Sequence, residues 1–222
     1  MQVDTVKICA TLADVTSATA SPTATYHHGD LPNALRRAAV EVIEERGVAG
    51  FSLREVARRA GVSHTAPAHH FGDVRGLLTS VAAEGFEELH RSCIEATEGV
   101  DDPADRLYAL ARAYVQLSQT HPGHCEVMFR VDLIDPDDPE LTECGMESYD
   151  DLEGGVKAII DSEGLSVPLD DATWMCWSTM QGLVQLAPKI SVISQIKHGT
   201  PVSTDDLIDR FTRIILNGLR GA

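Results

Sequence analysis

Two short helices separated by a glycine turn are predicted within residues 52–73, SLREVARRAGVSHTAPAHHFGD, and this arrangement restricts the fold of the whole chain. Ser52 and Glu55 match the S-x-x-E capping box, in which each side chain satisfies a free backbone amide at the start of a helix. Gly61 is predicted to end that helix, because glycine tolerates the left-handed backbone found there. The segment therefore predicts helix, tight turn and helix in immediate succession.

Further helices are predicted on both sides of this segment. Ser63 is predicted to cap the second short helix, His64 to His70, and Asp73 to cap a longer helix that follows. Asp30 is predicted to cap a preceding helix that Gly47 ends. Two short helices joined by a glycine-containing turn and braced by neighbouring helices form a helix-turn-helix domain.

The remainder of the chain is also predicted to be helical, since apolar residues recur at helical spacing without strand-like alternation. Predicted helices cover residues 104–120, a segment after His121-Pro122, and residues 143–162, 170–188 and 203–219, with loops at 132–140 and 163–169. The expected fold class is all-α, with an N-terminal three-helix helix-turn-helix domain followed by a larger helical domain.

Three regions of different composition are expected. Residues 1–25 are rich in Thr, Ala and Ser and are interpreted as a flexible leader, residues 26–75 as the helix-turn-helix domain, and residues 76–222 as the second helical domain. The formal net charge is −16, but residues 26–75 carry seven arginines against six carboxylates, whereas residues 76–222 carry ten basic and 26 acidic side chains. Only the first of these domains tolerates a polyanionic partner.

From Tyr26 onward the sequence resembles the TetR family of bacterial transcriptional regulators. YHHGDLPNALRRAAVEVIEERGVAGFSLREVARRAGVSHTAPAHHF is similar to the family's three-helix DNA-binding head. WSTMQGLVQL, residues 177–186, is similar to the C-terminal signature of the subgroup named for a Trp-His-Gly motif, with Gln181 in place of the usual histidine. The resemblance implies a homodimer that binds a palindromic double-stranded DNA operator, holds a small-molecule effector in the larger domain and dimerises through its last two helices.

The resemblance also implies which residues contact DNA. With the second short helix in the major groove, its first residues are expected to meet base edges, where an imidazole donates or accepts and methyl groups suit thymine. Arg54 is expected to reach a guanine or a phosphate, and the N-terminus of its helix to bind phosphate. The predicted DNA-binding residues are Ser52, Arg54, Ser63, His64, Thr65, Ala66, His69 and Arg75.

Four neighbouring residues affect this prediction. The chain has Ala68 and Val74 where the family usually has a tyrosine and a lysine that contact phosphate, which predicts weaker binding or a shallower salt dependence. His70 and Phe71 are expected to pack inward and hold the second short helix on the core of its domain.

Residues 76–222 are expected to hold the effector among aromatic and amphipathic side chains. The predicted ligand-binding residues are Phe86, His90, Tyr114, Met128, Phe129, Tyr149, Trp174, Trp177 and Gln181. A place in the core or at the dimer interface fits Trp174, Trp177 and Met180 equally well. Such a pocket favours an aromatic or lipophilic ligand, and the acidity of the domain favours a cation. The predicted dimer-interface residues are Leu183, Leu207, Phe211, Ile214 and Ile215.

No metal, cofactor or catalytic activity is expected. His64, His69 and His70 lack the spacing of three or four that places two ligands on one helical face. His121 and His124 are interpreted as capping residues of a turn at Pro122-Gly123. The sequence has no phosphate-binding glycine loop, HExxH pair or GxSxG elbow, which argues against an enzyme.

The sequence therefore predicts a cytoplasmic, homodimeric, ligand-responsive DNA-binding repressor. No membrane span is predicted, because no apolar run approaches the roughly 18 to 20 residues that one needs. The alternative is a regulator or sensor of the same fold with weak or lost specific DNA binding, in which Cys125 beside His124 is the candidate for a reactive thiol. Most cysteines are instead interpreted as small core residues. The chain has five cysteines, namely Cys9, Cys93, Cys125, Cys144 and Cys176.

Overall fold

The computed structural model describes residues 30–221, which form helices joined by short turns. The α-helices are α1 (Leu31–Arg46), α2 (Leu53–Arg59), α3 (Ala66–Phe71), α4 (Val74–Thr97), α5 (Pro103–Thr120), α6 (Pro122–Met128), α7 (Pro139–Glu163), α8 (Leu169–His198) and α9 (Thr204–Arg220). A short 3-10 helix, Val48–Gly50, follows α1. The described residues contain no strand, and the all-α prediction is confirmed. The predicted leader, residues 1–25, lies outside them.

The first helix has the predicted amphipathic pattern. Its apolar positions at helical spacing are all buried: Leu35, Ala38, Ala39, Val42 and Ile43. Gly47 ends the helix with a φ of 65° and donates its amide to the carbonyl of Ile43 at 2.7 Å. A left-handed backbone of this kind strains any residue with a Cβ, so glycine suits this position.

The capping box at α2 is formed in one direction. The Ser52 hydroxyl accepts a hydrogen bond from the Glu55 amide at 3.3 Å, as predicted. The Glu55 carboxylate accepts hydrogen bonds from arginine side chains and not from the Ser52 amide. Ser52 therefore fixes the start of α2, while Glu55 links α2 to its neighbours.

The third helix begins later than the sequence predicts, and the prediction that Ser63 caps it is wrong. The Ser63 hydroxyl accepts from the Thr65 amide at 3.3 Å, so it closes a tight turn that precedes the helix. Thr65 occupies the cap position without a capping hydrogen bond, and α3 starts at Ala66. Pro67 then falls in the first turn, where its missing N–H costs no helical hydrogen bond.

The fourth helix joins the helix-turn-helix segment to the rest of the chain. The Asp73 carboxylate caps it by accepting from the Gly76 amide at 2.9 Å, as predicted. It packs against α3 at its beginning and against α5, α6 and α7 along its length. The predicted domain boundary between residues 75 and 76 falls inside this helix and stays a prediction.

Two predicted loops are shorter than expected. The segment His121–Gly123, interpreted as a turn, leads into α6, with Pro122 in the first helical turn. The predicted loop 132–140 ends early, because the Asp138 carboxylate accepts from the Leu141 amide at 2.9 Å and starts α7 at Pro139. Proline at the first position of a helix is well tolerated, which explains both starts.

The prediction that the eighth helix ends at Pro188 is wrong, since the helix continues to His198. Proline removes one backbone hydrogen bond, yet buried Leu183 and Ala187 hold the preceding turns in place. Gly199, with a φ of 76°, ends the helix by donating its amide to the Gln195 carbonyl at 3.0 Å. No described helix is long and apolar enough to cross a membrane.

The larger part of the core lies between α5, α7, α8 and α9, with a second cluster between α4, α5 and α6. Glycines allow close helix contacts at two of these positions. A Cβ on Gly155 of α7 would lie 2.6 Å from Leu110 Cδ1 of α5, and one on Gly85 of α4 would lie 2.7 Å from Met128 Sδ of α6. Both distances are below van der Waals contact, so α5 and α6 approach these glycines directly.

The junction of α3 and α4 should be sensitive to one methyl group. A Cβ on Gly76 would lie 2.0 Å from the backbone oxygen of Phe71. Because backbone cannot move aside as a flexible side chain does, we expect Gly76→Ala to lower the free energy of unfolding by at least about 2 kcal/mol. Urea unfolding followed by circular dichroism measures this change.

Gly154→Ala is the matched control. Gly154 lies within α7, and a Cβ there would meet no atom within 4 Å. Alanine should therefore raise the free energy of unfolding by about 0.5 to 1 kcal/mol through its helix propensity. Equal stability of the two variants would show that the α3–α4 junction does not have the described packing.

Candidate nucleic-acid interface and ligand cavity

The structure leaves most of the predicted DNA-contacting side chains on the surface. Ala66 is half-buried at the start of α3. The exposed members are Ser52, Arg54, Ser63, His64, Thr65, His69 and Arg75. Because α3 begins at Ala66, His64 and Thr65 lie in the turn before the helix rather than within it. Their side chains are consequently presented by the α2–α3 turn.

Arginines of the helix-turn-helix segment differ in whether the chain itself neutralises them. Glu55 accepts from Arg58 at 2.7 Å and from Arg46 at 3.0 Å, and it also binds Arg59 at 3.1 Å. These arginines lower the pKa of Glu55 to about 2, chiefly through hydrogen bonds from Arg58 and Arg59. Three of the cations are therefore occupied at neutral pH.

Arg54 is in a different position, in the first turn of α2. Within residues 30–221 the Arg54 side chain makes no hydrogen bond or ion pair. A cation in the first turn of a helix is disfavoured by the helix dipole, so this position gains most from an external anion. Arg54 is thus available to a phosphate or a guanine.

Two of the expectations for this segment need correction. Arg75 donates its Nε to the backbone oxygen of Ile134 at 2.9 Å, so part of its guanidinium is used within the chain. His70 was expected to pack inward, but it is exposed. Buried Pro67 and half-buried Phe71 are four residues apart and form the inner face of α3, which turns His70 outward.

A cavity of about 440 Å³ lies in the second helical region, bordered by residues of each helix from α4 to α9 and of the α6–α7 connection. Its size is within the range of small-molecule sites. Six of the predicted ligand-binding residues line it: Phe86, Tyr114, Met128, Phe129, Tyr149 and Trp177. The sequence therefore identified the aromatic part of the wall.

Phe129 lies at the centre of this aromatic wall. Its ring meets Phe86 edge-on with a centroid distance of 5.3 Å, and it lies 5.8 Å from the Trp177 ring and 6.4 Å from the Tyr114 ring. The Tyr149 ring meets the Trp177 ring edge-on, with a centroid distance of 6.2 Å. Aromatic pairs at these distances stabilise one another beyond their buried area, so the wall is preorganised.

The other three predicted ligand residues lie outside this lining. His90 Nδ1 is 2.8 Å from Asp151 Oδ2, in a pair between α4 and α7. Gln181 and Trp174 border a separate surface depression, where Trp174 is 54% exposed. Gln181 also accepts a hydrogen bond from the Tyr114 hydroxyl, so it positions a cavity residue from behind.

The predicted dimer-interface residues are divided by burial. Leu183, Leu207 and Ile215 lie in the core of the chain itself, so their side chains cannot be the ones that a second copy covers. Phe211 is half-buried and packs against this core, while Ile214 is 66% exposed. Further exposed apolar residues lie along α8: Leu186, Val192, Ile193 and Ile196. The sequence predicts that this helix ends at Pro188, so Val192, Ile193 and Ile196 were not predicted to lie on it, although the segment ISVISQI, residues 190–196, is largely apolar.

Helix α6 contacts both the first helical segment and the cavity. At its N-terminal end, the Gly123 amide is 3.4 Å from a Glu44 carboxylate oxygen of α1, and a Cβ on Gly123 would lie 2.9 Å from Glu44 Cγ. Glu126 accepts from the Val48 amide at 3.0 Å. At its other end Met128 borders the cavity. A displacement of α6 would therefore be felt at both places.

The four cysteines within residues 30–221 do not provide a reactive thiolate. Cys93 and Cys176 are buried, and Cys125 and Cys144 are half-buried, while Cys9 lies outside the described residues. Burial raises the pKa of Cys125 to about 11, which leaves its thiol neutral near pH 7. His121 and His124 have ring centroids 5.6 Å apart, but no group of three metal-ligating side chains occurs within residues 30–221.

Two family models match the chain. The model described as bacterial regulatory proteins, tetR family, matches residues 35–81, which include the helix-turn-helix segment. The model described as tetracyclin repressor-like, C-terminal domain, matches residues 107–215, which include most of the cavity wall. Neither description names the Trp-His-Gly subgroup, which stays a prediction.

Individual relatives are also transcriptional regulators. The HTH-type transcriptional regulator BetI of Stenotrophomonas maltophilia is 35% identical over 77 residues, which are 34% of this chain and 39% of BetI. The chain thus spans less than half of that relative. The HTH-type transcriptional regulator RutR of Escherichia coli is 22% identical over 199 residues, covering 84% of this chain and 89% of RutR. These relatives point away from an enzyme.

Solved structures share the fold. A protein of unknown function from Rhodococcus sp. RHA1 is 28% identical, with a TM-score of 0.72 over 88% of this chain and 98% of that one. The transcriptional regulator FadR from Bacillus subtilis, solved in complex with stearoyl-CoA, is 18% identical, with a TM-score of 0.65 over 84% of this chain and 98% of FadR.

Cys125 should be chemically inert at neutral pH. In a Cys9→Ser, Cys144→Ser background, we expect iodoacetamide to modify it at pH 7.5 at least about tenfold more slowly than glutathione, because the raised pKa leaves little thiolate. The rate should still be rising at pH 10, because the pKa of Cys125 is about 11. The same background with Cys125→Ser reports any reaction of the buried thiols, and a rate equal to that of glutathione would support the thiol sensor.

Proposed function

The chain belongs to the TetR family of bacterial regulatory proteins, and on this basis we propose that it is a repressor that a small molecule releases from a palindromic operator. Regulators of this family bind DNA and respond to ligands. The proposal concerns how this chain divides the two tasks between its helix-turn-helix segment and its cavity.

DNA binding is assigned to α2, α3 and the turn between them. The Ser52 hydroxyl and the free amides at the start of α2 suit a phosphate, and Arg54 supplies an unneutralised cation beside them. His64 and Thr65 are exposed in the α2–α3 turn, where an imidazole and a methyl group suit base edges. Few other cations of this segment are free, so sequence-independent attraction to DNA should be weak.

The observation that carries the ligand-responsive part of the proposal is the position of α6. Gly123 at its start contacts Glu44, Glu126 contacts Val48 next to the DNA-binding helices, and Met128 at its end borders the cavity. A ligand that favours a different position of Met128 therefore also shifts the contacts of Gly123 and Glu126. Such coupling requires only that the ligand bind one of two arrangements better than the other.

Release from the operator follows from dimer geometry. A two-fold dimer binds half-sites whose centres are about 34 Å apart, or a multiple of that distance, because successive major grooves face one side once per turn. A change in the separation of the two DNA-binding heads therefore prevents both from binding at once. FadR of Bacillus subtilis, which shares the fold, was solved in complex with stearoyl-CoA, which supports ligand binding by a regulator of this fold.

The dimer surface is assigned to exposed apolar residues of the last two helices. Four large apolar side chains are exposed on these helices: Leu186, Ile193 and Ile196 of α8 and Ile214 of α9. Exposure of several apolar side chains to water is unfavourable. A second copy of the chain related by a two-fold axis would bury the same residues from both partners. This assignment replaces the buried residues that the sequence analysis chose.

DNA binding should depend on Arg54 and Thr65 in different ways. We expect Arg54→Ala to weaken binding to all DNA by about tenfold and to reduce the salt dependence by about one phosphate contact. Thr65→Ala should weaken only specific binding, by about 1 kcal/mol, because a thymine methyl loses its partner. Thr65 makes no capping hydrogen bond to α3, but its hydroxyl is 2.8 Å from that of Ser63, so Thr65→Ser, which keeps the hydroxyl and removes only the methyl group, should weaken specific binding equally.

Gel-shift titrations at two salt concentrations, against DNA from upstream of the gene and against random DNA, measure both effects. Arg91→Ala is the control: it removes the same charge, from an exposed residue about 24 Å along α4 from Arg75. No preference of the unaltered protein for the upstream DNA would contradict the repressor and favour a regulator that has lost specific binding.

The dimer should be disrupted by one charge on α8. Ile193 is 54% exposed, and we expect Ile193→Glu to convert a dimer to a monomer at micromolar concentration, because the interface would have to bury a carboxylate. Ile94→Glu on α4, where the residue is 53% exposed, is the matched control and should leave the dimer unchanged. Light scattering coupled to size-exclusion chromatography distinguishes these outcomes. A dimer that survives Ile193→Glu would place the interface elsewhere.

A further inference from the structure

The cavity contrasts in charge with the chain that encloses it. The protein has a formal net charge of −16. Nevertheless, among the described residues that border the cavity, none is Asp, Glu, Lys, Arg or His. The acidity of residues 76–222 therefore lies outside the cavity wall, and the expectation that it favours a cationic ligand is not supported at this site.

The thiols of the wall do not change this conclusion. Cys93 and Cys176 both border the cavity and are buried. Burial raises the pKa of Cys93 to about 12 and that of Cys176 to about 11. Both thiols are neutral near pH 7 and add no charge to the wall.

Most hydroxyl groups of the wall already donate a hydrogen bond within the chain. Ser148 donates to the backbone oxygen of Phe86 at 2.8 Å, and Thr142 donates to that of Asp138 at 2.8 Å. The Tyr114 hydroxyl donates to Gln181. A ligand would have to break one of these bonds before it could accept a hydrogen bond from any of the three groups.

Two hydroxyls of the wall make no such bond. That of Tyr149 belongs to a half-buried residue, whereas Thr212 of α9 is buried. It borders the cavity and is 3% exposed, and its hydroxyl has no hydrogen-bond partner. Buried threonines of α4 behave differently: Thr79 and Thr97 each donate to the carbonyl four residues earlier, at 2.8 Å. An unpaired buried hydroxyl is unfavourable by about 1 to 3 kcal/mol, so a partner supplied from the cavity would stabilise it.

We propose that the effector is an uncharged, largely aromatic molecule with one hydrogen-bond acceptor, which receives a hydrogen bond from the Thr212 hydroxyl. This inference deepens the proposed function, since it names the class of ligand for the cavity assigned there. Rotation about the Cα–Cβ bond of Thr212 exchanges its methyl and hydroxyl positions, so the hydroxyl can follow the acceptor without movement of the backbone. The aromatic rings around Phe129 then cover the faces of the ligand.

Charged ligands are excluded by the same wall. A carboxylate, phosphate or ammonium group that enters it loses its hydration, gains no ion pair and meets only the unpaired hydroxyls of Tyr149 and Thr212. The cavity therefore selects against both signs of charge. Its volume of about 440 Å³ accommodates a substituted bicyclic aromatic compound.

Four naphthalene derivatives test the two parts of the proposal on the full-length protein. They share one ring system and differ in one group: naphthalene itself, the ketone 2-acetylnaphthalene, the anion 2-naphthoate and the cation 2-naphthylmethylammonium. Binding is followed by the fluorescence of Trp177, which borders the cavity, in a Trp174→Phe background that removes the other tryptophan. Calorimetry on the unaltered chain gives the affinities independently.

We expect the ketone to bind at least about 100-fold more tightly than either ion, because burial of an unpaired charge costs several kcal/mol. Equal binding of 2-naphthoate or of the ammonium compound would overturn the exclusion of charge. Failure of all four compounds to bind would overturn the cavity as an aromatic site.

Thr212→Val tests the hydrogen bond. Valine has the shape of threonine, and because the hydroxyl is unpaired in the free protein, its removal should not destabilise the fold. We expect a threefold to tenfold loss in affinity for the ketone, roughly the value of one hydrogen bond, and no loss for naphthalene. Thr212→Ser should retain the affinity for the ketone.

Thr173→Val is the matched control. Thr173 is also fully buried with an unpaired hydroxyl, but it does not border the cavity, so its substitution should leave both affinities unchanged. Unchanged binding of the ketone to Thr212→Val would overturn the assignment of the donor. If the ketone binds as described but does not release DNA, the repressor proposal fails while the assignment of the ligand class stands.

Discussion

The contact between α4 and α6 at Gly85 determines how the two parts of the molecule are related. Met128 lies where a side chain on Gly85 would otherwise be, which brings α6 onto α4 and holds Met128 against the cavity. With that end fixed, Gly123 of α6 reaches Glu44, and Glu126 reaches the 3-10 helix after α1. A short helix of seven residues thus connects the cavity to the DNA-binding segment because one glycine leaves room for it.

Electrostatics reinforce this division of tasks. Glu55 binds Arg46, Arg58 and Arg59, so the segment that faces DNA is held together by the same cations that would otherwise attract any polyanion. The acidic residues of the second region repel DNA, and its cavity wall carries no charge. In the proposed function, affinity for an operator therefore comes from a small number of contacts near the start of α2 and in the α2–α3 turn.

The sequence predicts those parts of the fold that local chemistry decides. Ser52 and Asp73 cap helices where expected, and Gly47 ends α1, because each acts on backbone groups within a few residues. The start of α3 was missed, since the Ser63 hydroxyl can serve either a helix or the tight turn that it closes. Aromatic wall residues were recognised by type, whereas Thr212 was not, because an unpaired hydroxyl becomes visible only when its neighbours are known.

Pro188 divides the long helix α8 into two lengths with different surroundings. Before it, Trp177 and Met180 border the cavity, and after it, Ile193 and Ile196 face outward. Since proline already interrupts the hydrogen-bond ladder at this point, a substitution on one side disturbs the other side less than it would in an unbroken helix. In the proposed function, the residues that contact the ligand and those that join two copies therefore lie on opposite sides of Pro188, so the ligand preference can change by substitution while the dimer surface stays the same.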